Sequence, residues 1–142
     1  MGGLAILVAA YVMLVWLPNR NRLLLEHDLK KFALLYHEFN DAHGRPPSTL
    51  ADLESFMPKN TINAPDFYRA PRAFEMVRNN RFLVLWDAVL LPDGDANDKY
   101  VLGYEPESSE VGGLVMRAGG TVRYLTASEF NALPKIRTLA EK

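Results

Sequence analysis

The chain of 142 residues contains no cysteine. That excludes disulfides, thiolate metal sites and a cysteine nucleophile, and it leaves the compartment open, because many exported proteins also lack cysteine. An excess of charge of either sign is missing too. Sixteen Lys and Arg stand against seventeen Asp and Glu, a formal net charge of −1, so no broad attraction to nucleic acid is implied. The basic stretch Arg69, Arg72, Arg78 and Arg81 is interrupted by Asp66 and Glu75 and reads as a solvated face. Histidine is scarce, and the three present share no metal-ligand spacing. His37-Glu38 begins like a zinc-protease helix, but the residue four positions after His37 is Asp41, and His43 lies about 600° further round the helix. His27 is more distant still.

The most telling absence is at the start. Met1 to Pro18 carry no charged side chain. The run Leu4 to Leu17 is apolar throughout, with no polar side as a buried core helix would have. No basic residue precedes it and no small-x-small site follows it, so a cleaved signal peptide does not fit. Fourteen helical residues cover roughly 21 Å, and adding Met1 to Gly3 and Pro18 brings the reach to about 27 Å, against a hydrocarbon core of ~30 Å. Snorkelling by Arg20 and Arg22 and mild thinning would close that gap. Residues 1–22 are therefore expected to be a single-pass anchor, with membrane lipid as the partner of Leu4 to Leu17. Residues 23–142 are expected to form the head. Arg20, Arg22, Lys30 and Lys31 follow the anchor, which by the positive-inside rule places the head in the cytoplasm.

Beyond the anchor the pattern turns amphipathic. Leu25, Leu29, Phe32, Tyr36 and Phe39 fall at 4-3-4-3 spacing, widened by Leu24 and Leu35, which predicts a helix from about Asn19 to His43, stopped at Gly44. Pro18 is where a kink is expected. Thr49 and Asp52 read as a capping pair for a short helix bearing Leu50, Leu53 and Phe56, and residues 60–71 as a loop. Phe74 to Val77 and Phe82 to Trp86 flank Asn79-Asn80 and read as a hairpin whose second strand is central. Tyr100 to Tyr104 is a third strand. Leu114 to Arg117 and Thr121 to Leu125 flank Gly119-Gly120 as a second hairpin. Thr126 to Glu129 is a capping box opening a last helix, and the tail from Lys135 is expected to be mobile. The fold class that follows is α+β, a long N-terminal helix, half membrane and half amphipathic, packed on a small antiparallel sheet.

This layout resembles the type IV pilins and the pseudopilins of type II secretion. The segment Phe32 to Leu53, with Tyr36, Gly44, Pro46-Pro47 and Leu50-Ala51-Asp52-Leu53, is similar to the pseudopilin run in which a helix ends at "Y…G…P" and "L.DL" follows. Gly112 to Leu125 resembles the last hairpin of prepilin-like proteins with its "ADGHV" turn, Gly119 and Thr121 standing where the turn has Asp and His. The resemblance implies a structural protein rather than an enzyme, like subunits as lateral partners, no small-molecule substrate, and an inner-membrane location with the head outside the cytoplasm, opposite to the side the flanking charges favour. The family's junction is also incomplete. Gly3-Leu4 takes its place with no basic leader, and the fifth residue after Gly3 is Val8 where prepilins have Glu. The alternative is a membrane-tethered binding module that does not polymerise.

Chemistry-bearing clusters are few. Asp93-Gly94-Asp95-Ala96-Asn97-Asp98 places oxygen ligands at alternate positions, as a calcium loop does, which makes Asp93, Asp95, Asn97 and Asp98 the metal candidates. Asp98 stands where such a loop needs Gly, and the twelfth position is Tyr104, so a polar turn between strands is the competing reading. Glu105, Glu107 and Glu110 lie in a Pro/Ser-rich connection, Ser108-Ser109 and Ser128 lack a nucleophile-elbow pattern, and Gly112-Gly113 and Gly119-Gly120 lack the Lys of a phosphate loop. No catalytic residue and no cofactor other than calcium is expected.

Overall fold

The computed structural model describes residues 2–57 and 70–141. One helical path carries the chain from Gly2 to His43: α1 (Gly2–Tyr11), a π-helical segment (Val12–Trp16) and α2 (Leu17–His43). The π segment stands immediately before Pro18, where the sequence leads one to expect a kink. Proline has no N–H to give to the carbonyl four residues back, and a widened turn just before it takes up the lost register. Helices α3 (Leu50–Phe56) and α4 (Pro71–Arg78) follow, then β1 (Leu83–Val84), α5 (Gly94–Asn97), β2 (Val101–Tyr104), α6 (Ser108–Val111), β3 (Gly113–Arg117), β4 (Val122–Leu125) and α7 (Ala127–Ala132). The strands form one antiparallel sheet in the order β1-β2-β3-β4. The head is thus α+β.

The second half of α2 is the spine of this head, touched by α3 and α4 and by β3 and β4. The apolar stripe read from the sequence is the face it buries: Leu29, Phe32, Leu35, Tyr36 and Phe39 are all in the core, with Leu25 packed at its edge. Each such side chain stabilises the fold by roughly 1.5–3 kcal/mol on burial. Phe32 meets Phe74 of α4 edge-on, ring centroids 5.2 Å apart, and Tyr36 stacks on Trp86 at 6.0 Å. Gly44, at φ 65°, ends α2 as expected. Both caps expected from the sequence form. The Asp52 N–H donates to Thr49 Oγ1 at 3.3 Å, and Thr126 and Glu129 make a reciprocal capping box.

Three expectations are corrected. Phe74 to Val77 is helical, not a strand, so the Asn79-Asn80 hairpin does not exist. Pro71 occupies the first position of α4, where its missing N–H costs nothing, and Ala73, Phe74 and Val77 share the buried face at helical spacing. Phe82 to Trp86 is an edge rather than a central strand, only Leu83 and Val84 pairing in the sheet. Its residues are apolar on both sides for two separate reasons. Phe82 packs over Gly103, where a Cβ would come within 2.6 Å of the Phe82 ring, and Trp86 turns towards α2. The tail after Pro134 is docked. Ile136 is buried and its N–H donates to Val101 O at 2.9 Å, while Val89 N–H donates to Arg137 O at 2.8 Å and Leu139 N–H to Asp87 O at 2.9 Å. The loop expected over residues 60–71 lies almost wholly outside the described residues.

Asp28 and Tyr36 tie the spine to backbone groups of other segments. Ala70, the N-cap residue of α4, offers no side-chain acceptor, and Asp28 of α2 supplies one from a distance: its Oδ2 accepts the Arg72 N–H at 2.9 Å although Asp28 is only 4 % exposed. A negative charge at a helix N-terminus is favourable. Tyr36 Oη donates to Leu85 O at 2.9 Å and accepts from the buried Ala88 N–H at 3.1 Å. Burial pushes the phenol well above its ordinary range, and the Ala88 N–H works in the opposite direction.

Tyr36→Phe should therefore cost about 1–3 kcal/mol by stranding two backbone groups, read as a lower urea midpoint with an unchanged slope. The same phenol gives a pH signature. Its folded pKa is raised, so its contribution is complete below the model-peptide value of 10.0 and is lost as pH rises beyond it. The difference in stability between the parent chain and Tyr36→Phe should shrink above about pH 10. Asp28→Ala should cost about 1–3 kcal/mol, with Asp28→Asn recovering part of the loss because the amide oxygen still accepts.

Candidate functional site

The surface that sets this chain apart is the outside of α1 and the turn after it. Leu4, Ile6, Leu7, Val8, Tyr11, Met13 and Leu14 all project into the surroundings, Leu4 at 75 % and Leu14 at 76 % exposure, and no part of the head covers them. The exposed positions run round the whole helix, so no narrow face is left for a single partner helix to bury. Further along, the Arg22 guanidinium lies 4.1 Å from the centre of the Tyr124 ring on β4. From Leu4 to Leu14 the apolar surface greatly exceeds the scattered leucines that any soluble surface tolerates. No helix among the described residues is long and apolar enough to cross a membrane. The ten residues of α1 reach about 15 Å, and only the continuous path through the π segment into α2 extends further.

The four calcium candidates are placed as follows. The segment coils into the single turn of α5 instead of remaining an open loop. Asp93 caps that turn, its Oδ1 accepting the Asp95 N–H at 3.0 Å. Asn97 is buried and fully engaged by Leu91, accepting its N–H at 2.8 Å and donating to its C=O at 3.0 Å. Asp98 turns inward, its Oδ1 buried and without a hydrogen-bond partner, against Gly119, where a Cβ would stand 2.7 Å from that oxygen. Among the described residues no three His, Asp or Glu converge in a way that could hold a metal ion. Asp93 and Asp95 remain at the surface, while Asn97 is held inward by its two hydrogen bonds to Leu91.

Two of the three histidines serve the scaffold. His37 Nε2 hydrogen-bonds Ala118 O and so joins α2 to the end of β3, which puts the ring proton on Nε2. His43 stacks on Phe39 at 4.1 Å, with Arg45 over the other side of the cluster and paired to Asp52 at 3.4 Å. The Asp52 carboxyl is held below its usual range chiefly by the Ser48 N–H. Beside His37 an open groove of about 630 Å³ runs between Lys30, Leu34 and the Gly119-Gly120 turn, with Gly94 and Thr121 at its rim. Glu105 is committed to the Leu114 N–H at 2.7 Å, and Ser108 is buried at the close approach of Gly113. Neither pairs with a histidine, so no nucleophile-base arrangement forms there.

Two features escaped the sequence reading. Asp28 falls in register with the buried stripe, three residues after Leu25 and four before Phe32, and a carboxylate at such a position signals a buried partner. The approach of Arg72 and Arg81 to Asn21 and Leu25 has no local signal at all. No family model matches the chain, and neither the curated proteins nor the solved structures yield a match.

Asn97→Ala should lower stability by about 1–3 kcal/mol, because both Leu91 groups lose their partner. The loss should be the same with and without added calcium. A rise in melting temperature on adding calcium to the parent chain, abolished by the substitution, would instead assign the acidic segment to the ion.

Proposed function

We propose that this chain is a membrane-anchored structural or assembly protein of pilin-like build, with Leu4 to Leu17 in lipid and the α+β head in water. The observation that carries the reading is the exposed, charge-free surface of α1, continuous by an unbroken helical path with the spine of the head. Water exposure of this surface is unfavourable by about 25 cal/mol per Å², and the hydrophobic effect is what drives it into lipid. The run is shorter than a full hydrocarbon core, and Arg20 and Arg22 at its end can reach back to the interface while the bilayer thins. Lateral packing of α1 with the same helix of other copies would make the protein a subunit of a pseudopilus or secretion assembly.

The second reading is a tethered binding module that stays single. Val8 favours it, since the pilin-like pattern has a carboxylate at that place and α1 has none anywhere. The two readings share an anchor and differ in self-association.

Leu7→Asp tests the anchor. An acid inside the apolar run costs up to about 3 kcal/mol of insertion relative to Leu, at most roughly a hundredfold in partition. The parent chain should sediment with membranes through high-salt washing and be released by detergent, and Leu7→Asp should shift it to the supernatant. If the parent chain stays in solution without detergent, the membrane reading fails. Because the chain has no cysteine of its own, Leu7→Cys gives a single oxidisable site. Disulfide-linked dimers in membranes support assembly, and monomer alone supports the tethered module.

A further inference from the structure

A groove of about 230 Å³ opens where the head meets the anchor. Asn21 and Leu25 of α2 form one wall, Arg72 and Met76 of α4 the other, and Asn79 and Arg81 close the end. Four residues separate Leu17 from Asn21 and eight separate it from Leu25, which at 1.5 Å per residue puts them roughly 6 and 12 Å beyond the apolar run. The polar layer of one leaflet is roughly 5–8 Å thick, the difference between a bilayer of ~40–45 Å and a ~30 Å core. With the anchor inserted, the Asn21 end of the groove lies at headgroup depth.

Its chemistry suits a phosphate. Arg81 is exposed and its guanidinium has no ion-pair partner among the described residues. The Arg72 side chain is 53 % exposed, and its Nη1 touches Asp28 only at 4.0 Å. Glu75 also lines the groove and tempers the field. Arg72 and Arg81 thus face Glu75 across the lining, while Arg22 is engaged by the Tyr124 ring. Guanidinium forks are suited to bidentate phosphate recognition.

Resting on the membrane-anchor reading, we propose that the groove between the start of α2 and α4 holds the phosphate headgroup of an anionic lipid from the bilayer that carries α1. Arg81 and Arg72 are its ligands, and occupancy fixes the head against the membrane surface.

The test is nuclear magnetic resonance of the full chain in zwitterionic detergent micelles, following backbone amides. Phosphatidylglycerol should shift the amides of Asn21, Asn79 and Arg81 in a saturable way, and phosphatidylcholine or inorganic phosphate at the same concentration should leave them in place. Arg81→Gln should weaken the phosphatidylglycerol response about fivefold. Arg137→Gln removes the same charge at a different cavity, bordered by Val89 and Ile136, and should not change it. Equal responses to the two lipids, an equal response to inorganic phosphate, or equal weakening by Arg81→Gln and Arg137→Gln would each overturn the proposal. A lipid-soluble paramagnetic probe in the same samples broadens residues 4–14 if they are in the micelle. Broadening there with a silent groove defeats the groove alone, and no broadening defeats the anchor and the groove together.

Discussion

The larger core of the head is arranged around the burial of one helical face. Leu29, Phe32, Leu35, Tyr36 and Phe39 of α2 supply the large side chains onto which α4, the 82–88 segment and the sheet close. A helix of this length with one apolar stripe is not stable alone in water, and the head exists because that stripe needs covering. The sheet is small, and β1 contributes only two residues, so it could not bury a core without α2 lying across it.

Three polar side chains of the spine are committed to backbone groups of other segments. Asp28 completes the start of α4, Tyr36 holds the backbone at Leu85 and Ala88, and His37 reaches the end of β3. These three side chains leave α2 within about three turns and engage three different segments, so they set the order in which the pieces sit on the helix. Hydrophobic burial alone would tolerate sliding along the stripe, whereas hydrogen bonds to fixed backbone groups would not.

The same continuous helix passes from a covered stripe to a bare apolar surface. Arg22 of α2 still lies over the Tyr124 ring of the head, whereas the large apolar side chains from Leu4 to Leu14 are exposed. Charge-free residues on every side of a helix call for a different solvent from the one that wets Arg123 and Glu129. The π segment falls at this change of environment, ahead of Pro18. The anchor and groove proposals both start from this boundary, since the basic residues gathered at it come from α2 and from the far side of α4.

Local pattern alone determined the α2 stripe, the Gly44 stop, the Thr49 and Thr126 caps, the β3–β4 hairpin and the bare N-terminal run, because each is written within a few residues by spacing, capping chemistry or the absence of charge. Helix α4 was legible in part. Pro71 followed by Ala73, Phe74 and Val77 carries a helix start and period, but so short a stretch also passes for a strand beside Asn79-Asn80. Tertiary structure decided the rest. Whether Phe82 to Trp86 is central or at the edge depends on what lies beyond it, and the docking of Ile136 depends on a free backbone at Val101. The coil of Asp93 to Asp98 depends on Leu91 holding Asn97. The meeting of Arg72 and Arg81 with Asn21 spans some fifty residues of chain. Such pairings are selected by the closure of the whole core, whose free energy is shared among distant segments and leaves no mark in any one of them.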